Sequence, residues 1–339
     1  MKQFNKTFEV HSFYNLSRYL FLRIEQNYSK VIEKSGITLP QLRILWIINC
    51  FPGTSFTEAA KIGCWTGPTV TNMIKILINK NLLIIKNNSN NKTKNVFLTE
   101  QGNNIININK QRKGSTFPLS NLIHILSKDE LTYLVNFYKY LSISSNNLLI
   151  FDYINKINEF SVKIDYNSYT DEESSILKDL VCYYNLLRIF VLTTENNHSL
   201  LLKELNLTYA QLRALKIIKA YEALTSKQLS EMALWSPSTA NLVVKNLLSK
   251  GLIYKKKGLL KNSINIFITD KGKDIINNDY ADNSNRIETL NILDNVSSEK
   301  LTYLNILLYS LNYALKNTMI NDYILKTFEN KLSSVTKFQ

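Results

Sequence analysis

Histidine and cysteine are common catalytic and metal-binding residues, and both are sparse in this chain. The 339 residues include three of each. They are His11, His124, His198, Cys50, Cys64 and Cys182. None belongs to an HExxH or CxxC motif, and the chain has neither a P-loop glycine run nor a GxGxxG after a strand. The sequence therefore predicts no catalytic residue, no metal site and no cofactor, and it indicates that the protein is not an enzyme.

The charge of the chain indicates an anionic partner instead. The net charge is +14, and nucleic acid or a membrane surface are the usual partners of such a protein, although an ordinary basic protein would carry the same charge. No apolar run reaches the ~18 residues of a membrane span, and the N-terminal segment lacks the apolar core of a signal peptide. Sparse cysteines suit a reducing compartment. We therefore expect a cytoplasmic protein that does not bind membranes.

The second half of the chain repeats the first. TLPQLRILWIINC at 38–50 returns as TYAQLRALKIIKA at 208–220, an offset of 170 residues. The same offset, with no gap, relates residues 13–140 to residues 183–310. A register held over this length indicates an internal duplication. The predicted organisation is a first repeat at 1–155, a linker at 156–173 and a second repeat at 174–339.

The hydrophobic pattern predicts the same order of elements in each repeat. Nine Gly and five Pro suit a mainly helical protein rather than a barrel or a sandwich. A long helix precedes three shorter helices, two β-rich runs and two final helices. The predicted bounds in the first repeat are 8–34, 38–50, 56–62 and 68–80 for helices and 82–86 and 95–99 for strands, with a polar loop at 87–94. A helix-turn-helix followed by such a hairpin is typical of a winged helix.

Three motifs resemble the MarR family of bacterial transcription regulators. They are T-x-x-Q-L-R-x-L in both repeats, T-V-T-N-M-I-K-I-L-x-x-K-x-L-L at 69–83, and LTEQG and ITDKG at 98–102 and 268–272. The resemblance covers nearly the whole chain, twice. It implies a mainly α fold of tandem winged helix-turn-helix domains with small β-hairpin wings. Family members are normally homodimers of one such unit, so a double copy, as in two-domain proteins of the related SarA group, implies a monomer acting as a pseudo-twofold intramolecular dimer. A chain that still pairs with another copy is the alternative.

The resemblance implies sequence-specific binding of double-stranded DNA, with helices 66–80 and 236–250 in the major groove. The candidate contacts are Thr66, Thr69, Thr71, Asn72, Lys75, Ser236, Ser238, Asn241 and Lys245. Hydroxyl and amide groups suit phosphates and adenine, and Lys suits phosphate or guanine. The alternative interpretation is that Thr and Ser only cap these helices and that Lys only covers a solvated face.

The wings depart from the family pattern. Relatives carry an Asp-x-Arg whose arginine enters the minor groove, attracted by its negative potential. This chain has Asn90, Asn91 and Lys92 in one wing and Leu260, Lys261 and Asn262 in the other. The wing lysines are Lys86, Lys92, Lys94, Lys255, Lys256, Lys257 and Lys261. They are predicted to contact the DNA backbone or minor groove, and simple soluble hairpin tips are an equal alternative.

The two repeats differ within the predicted recognition helices. Leu242 stands where the first repeat has Asn72, and Pro237 stands where it has Gly67. Different recognition helices imply different half-sites, so we expect an asymmetric operator. The substituted wings leave a second hypothesis open, namely a winged-helix protein-interaction module that has lost specific DNA binding.

Cys182 is a candidate redox sensor. It lies beside Tyr183 and Tyr184 in the first helix of the second repeat, which is similar to the peroxide-sensing branch of the family. The first repeat has Ser12 at the equivalent position, so only the second repeat would sense peroxide. A thiol without a lowered pKa would simply be a small buried hydrophobic group. The resemblance also implies a small-molecule effector, which the sequence does not identify.

Overall fold

The computed structural model divides the protein into two compact units. It describes residues 2–88, 91–110, 118–144, 152–157, 169–258, 263–282, 288–317 and 319–335. The first winged unit is Arg23–Leu192, and the second winged unit joins Met1–Leu22 to Thr193–Gln339. Each unit therefore includes the start of the long first helix of the other repeat. The predicted repeats, 1–155 and 174–339, follow the sequence duplication. Their bounds as domain boundaries stay a prediction.

The elements of the first repeat follow the predicted order. The helices are α1 (Lys2–Ile32), α2 (Leu39–Cys50), α3 (Phe56–Gly63), α4 (Gly67–Asn79), α5 (Glu100–Lys110) and α6 (Lys128–Ser144), and the strands are β1 (Thr54–Ser55), β2 (Leu83–Asn88) and β3 (Asn91–Leu98). The strands form one antiparallel sheet in the order β1-β3-β2. The predicted loop at 87–94 is too long, because β2 and β3 extend into it. β1 was not predicted, since two residues show no alternation.

The second repeat has the same plan. Its helices are α7 (Asp171–Leu201), α8 (Tyr209–Tyr221), α9 (Ser226–Ala233), α10 (Pro237–Ser249), α11 (Asp270–Asp282), α12 (Glu288–Asp294), α13 (Ser298–Ala314) and α14 (Ile320–Val335), and its strands are β4 (Ile253–Lys257) and β5 (Ile264–Ile268). The predicted fold, mainly helical with tandem winged helix-turn-helix domains, is confirmed. In the part of the chain that the structure describes, no helix is long and apolar enough to cross a membrane.

The T-x-x-Q motif starts a helix in both repeats. Gln41 N donates to Thr38 Oγ1 (3.4 Å) and Thr38 N donates to Gln41 Oε1 (3.1 Å). Thr208 and Gln211 make the same two bonds, at 3.2 and 3.1 Å. Such a capping box satisfies two backbone N–H groups that a helix start would otherwise leave unpaired. The predicted N-cap at Thr38 is confirmed, and the motif fixes where α2 and α8 begin.

The T-x-x-G exit from each wing holds the base of the hairpin. Thr99 Oγ1 donates to the Asn81 carbonyl (2.7 Å) and accepts from Gly102 N (3.0 Å). A Cβ on Gly102 would lie 2.2 Å from the Leu82 carbonyl oxygen, so only glycine allows this close approach. A Cβ on Gly272 would likewise lie 2.4 Å from a backbone oxygen. The start of α5 is therefore pressed against the segment that joins α4 to β2.

Candidate nucleic-acid interface

Helix α4 buries one face and exposes the other. The buried residues are Val70, Met73, Ile74 and Leu77. Thr66, Thr69, Asn72 and Lys75 are exposed, whereas Thr71 is half-buried. Because positions three residues apart lie on one side of a helix, the exposed set forms a polar stripe along α4.

The start of α4 leaves backbone donors for a partner. Thr66 is the N-cap, but its side chain does not bond to the backbone of the first turn. Its Oγ1 instead lies 2.8 Å from Oγ1 of Thr69. The first N–H groups of a helix lack intrahelical acceptors and attract anions. Both hydroxyls and the helix start are thus available at the same exposed end.

Helix α10 repeats this arrangement with two differences. Ala240, Val243, Val244 and Leu247 are buried, whereas Ser236, Ser238, Asn241 and Lys245 are exposed. Ser236 Oγ does cap its helix, accepting from Thr239 N at 3.2 Å, and it lies 2.8 Å from the Ser238 hydroxyl. Leu242 is 60% exposed. The second stripe therefore carries an apolar residue where the first carries Asn72.

The first wing presents lysines on both strands. Lys86 of β2 and Lys94 of β3 are exposed. The Lys86 ammonium lies 5.2 Å from the centre of the Phe97 ring, within reach of a cation–π contact. Lys92 belongs to β3. Asn90 lies outside the described residues, so the interpretation of the wing tip stays a prediction.

The second wing places three consecutive exposed lysines on β4, namely Lys255, Lys256 and Lys257. The Lys256 ammonium lies 5.3 Å from the centre of the Tyr254 ring, and that ring stacks on Phe267 at 5.4 Å. Successive side chains of a strand point to opposite faces. Lys255 and Lys257 therefore project from the face opposite to the aromatic pair. The tip at 260–262, with Lys261, lies outside the described residues.

The predicted redox residue is buried. Cys182 is 6% exposed, and its neighbours Tyr183 and Tyr184 are buried with it. The Tyr184 hydroxyl donates to a Glu25 carboxylate oxygen and accepts from Arg43 Nη2. Peroxide sensing by Cys182 stays a prediction. Within the described ranges, no group of three or more His, Cys, Asp or Glu side chains could hold a metal ion.

The sequence motifs also contain buried arginines that were not predicted as functional. Arg43 and Arg213 are the arginines of the two Q-L-R motifs, and Arg18 and Arg188 lie in the first helices of the two repeats. All four are buried. An arginine inside an otherwise apolar helical stretch is the signal that could have identified them, since arginine is seldom fully buried without a partner.

Comparison with known proteins identifies these segments. The MarR family model matches residues 37–93 and 207–258, which hold the helix-turn-helix and the beginning of the wing in each repeat. The chain carries two MarR-family domains. The family match supports a DNA-binding transcription regulator, and it confirms the predicted duplication of the winged helix.

A solved structure with sequence similarity to this chain is a mutant of S. aureus MepR bound to an oligodeoxyribonucleotide. The identity is 25%, over 35% of this chain and 88% of that chain, with a TM-score of 0.24. A TM-score this low supports no conclusion about the fold of this chain. None of the curated proteins compared with the chain matches it.

Proposed function

We propose that this tandem MarR-family protein binds double-stranded DNA sequence-specifically to regulate transcription. α4 and α10 would enter the major groove, and the lysine-rich wings would contact the backbone or minor groove. One observation carries the proposal: while their other face is buried, both helices expose hydroxyl and lysine side chains at three equivalent positions, namely Thr66 and Ser236, Thr69 and Thr239, and Lys75 and Lys245. Hydroxyl, amide and ammonium groups are the side chains that contact phosphates and base edges.

The two helices would read different half-sites. The amide of Asn72 can pair with the N6 and N7 edge of adenine, whereas an apolar side chain such as Leu242 can contact the methyl group of thymine. Both side chains are exposed. The operator is therefore expected to be asymmetric. Footprinting that gives two identical half-sites would contradict this part of the proposal.

A single chain would supply both recognition helices and act as its own dimer. The duplication in one chain supports this proposal, because MarR-family regulators normally use two such units. Light scattering of the protein bound to a short duplex should give the mass of one chain with one duplex. Two chains on one duplex would instead favour a protein that still pairs with a second copy. Any small-molecule effector and the cytoplasmic location stay predictions.

Substitution of Asn72 by Ala tests the proposed base contact. The expected result is a loss of discrimination between the preferred site and one altered in a single base pair, by about 1–3 kcal/mol, since the bidentate pair is lost. Asn103→Ala is the matched control, because Asn103 is exposed on α5. Equal effects of the two substitutions, or no effect of either, would show that Asn72 does not contact a base.

A protein-interaction module is the second candidate. The exposed apolar residues near the proposed interface favour it, because Leu242 of α10 and Ile264 of β5 are 60% and 55% exposed. Exposed apolar groups on a soluble protein often mark a contact surface. This candidate predicts that DNA binding shows no sequence preference and is lost as salt is raised.

A further inference from the structure

Each winged unit contains a set of two buried arginines and one half-buried glutamate. In the first winged unit the set is Glu25, Arg43 and Arg188; in the second it is Glu195, Arg213 and Arg18. The two sets occupy equivalent positions, 170 residues apart. In both, one arginine comes from the long first helix of the other repeat. Each set carries one positive charge more than its carboxylate neutralises.

The glutamate pairs with a different arginine in each unit. Glu25 Oε1 lies 2.6 Å from Nη2 of Arg43, on α2 of its own repeat. Glu195 Oε1 instead lies 2.5 Å from Nε of Arg18, on the helix from the other repeat. The remaining arginine of each unit therefore lacks a carboxylate partner among the described residues. It is Arg188 in the first unit and Arg213 in the second.

Both remaining arginines donate to the same position of the backbone. Arg188 Nη2 donates to the Gly63 carbonyl at 2.5 Å, and Arg213 Nη1 donates to the Ala233 carbonyl at 2.8 Å. Gly63 and Ala233 end α3 and α9, and their carbonyls lie three residues before the N-caps of the recognition helices. Carbonyls in the last turn of a helix lack intrahelical donors and favour a cation nearby.

A local difference in sequence accompanies the choice of arginine. A Cβ on Gly63 would lie 2.0 Å from the Trp65 ring. Trp235 cannot occupy the same place, because Ala233 has that Cβ. Arg188 lies 5.5 Å from the centre of the Trp65 ring, and Arg213 lies 5.4 Å from that of Trp235. In each unit, the arginine that reaches the carbonyl therefore also lies over the tryptophan two residues after it.

The electrostatics of the two units agree with this difference. Burial lowers the pKa of Arg188, and the neighbouring Arg43 lowers it further. Burial also lowers the pKa of Arg18, but the Glu195 carboxylate and nearby tyrosines together raise it by more, so the net shift is upward. Arg188 Nε is buried without a hydrogen-bond partner among the described residues. Arg188 is thus retained in a costly environment, with the Gly63 carbonyl as its polar contact.

We propose that Arg188, supplied by the second repeat, positions the first recognition helix, whereas Arg213, supplied by its own repeat, positions the second. Both are positioning residues, which act through the carbonyl before the helix and need not touch DNA. In the second unit, the Tyr19 hydroxyl adds a hydrogen bond from the first helix of the other repeat, donating to the Met232 carbonyl at 2.7 Å. The equivalent residue in the first unit is Ile189, whose side chain has no hydrogen-bond donor. The two proposed DNA-binding helices would therefore be held in place by different residues, Arg188 for α4 and Arg213 for α10.

Hydrogen exchange of the full chain, measured by mass spectrometry without DNA, tests this proposal. Arg188→Met should accelerate exchange of residues 64–79 by about tenfold or more, since a hydrogen bond from a charged group is lost, and should leave 234–249 within about twofold of the unsubstituted protein. Arg213→Met should give the reverse pattern. Met is suitable because replacing a buried charge without a carboxylate partner by an apolar side chain of similar length need not unfold the protein.

Two further variants separate positioning from packing. Arg188→Lys keeps a charged donor and should restore much of the slow exchange, whereas a packing role would make Met the better replacement. Arg18→Met changes the residue of the second unit that is equivalent to Arg188 and should leave exchange of residues 234–249 within about twofold of the unsubstituted protein. Unchanged exchange of 64–79 in Arg188→Met, or equal acceleration of both recognition helices, would overturn the proposal. Because no DNA is present, these outcomes are independent of whether the proposed DNA binding is correct.

Discussion

The salt dependence of DNA binding should depend on two particular lysines of the second wing. Lys255 and Lys257 are exposed on the face of β4 opposite to the stacked Tyr254 and Phe267. Each phosphate contact contributes about 0.9 to the slope of log K against log salt. Replacing both lysines by Gln should therefore make the slope less negative by about 1.8. Between about 50 and 200 mM salt, the variant should lose about 12-fold less affinity than the unsubstituted protein.

Lys256 is expected to behave differently from its neighbours. Its ammonium lies over the Tyr254 ring, so Lys256→Gln should change the slope by clearly less than ~0.9, because the lost contact is a cation–π contact within the wing.

The assay is fluorescence anisotropy of a labelled duplex at four or more salt concentrations. Lys300→Gln with Lys316→Gln is the matched control, because both lysines are exposed and the change in charge is the same. An unchanged slope in Lys255→Gln with Lys257→Gln, or the same change in the control, would refute the placement of this wing on DNA.

Four further predictions concern the parts that support the interface. Ile74→Ala should lower the free energy of unfolding by about 2–5 kcal/mol in urea titrations, because a fully buried side chain of α4 leaves a cavity. Thr208→Ala should cost about 1 kcal/mol in the same assay, since it removes the cap of α8. Gly102→Ala should lower the melting temperature measured by circular dichroism, because its Cβ would meet a backbone oxygen at 2.2 Å. A thiol reagent should label half-buried Cys64 before buried Cys182, as seen by mass spectrometry of the labelled peptides. An unchanged free energy of unfolding for Ile74→Ala would contradict the burial described for α4. Faster labelling of Cys182 than of Cys64 would contradict the burial described for α7.

Much of the fold could be predicted from the sequence, because its signals are local. Apolar spacing predicted the recognition helices, and Thr38 with Gln41 predicted the start of α2. The unbroken offset between repeats allowed each weak pattern to be checked against its copy. The candidate contacts of the first recognition helix came from the family resemblance; Thr66, Thr69, Asn72 and Lys75 are exposed, whereas Thr71 is half-buried.

The partners of long helices and buried charges could not be predicted in this way. Periodicity predicts that α1 and α7 are helical, but it does not show that the beginning of each belongs to the unit of the other repeat. The two arginine–glutamate sets have the same residues at the same offset, yet they pair differently. The close approach of the Trp65 ring to Gly63, at a position that holds Ala233 in the second repeat, accompanies this difference.

The two MarR-family domains are proposed to bind DNA with sequence preference. The most direct test compares anisotropy of a duplex from upstream of the gene with that of a scrambled duplex, at low and at near-physiological salt. We expect a preference for the upstream duplex of about 10³ or more that persists at the higher salt. Equal binding of both duplexes that disappears with salt would contradict the claim and would favour the protein-interaction module.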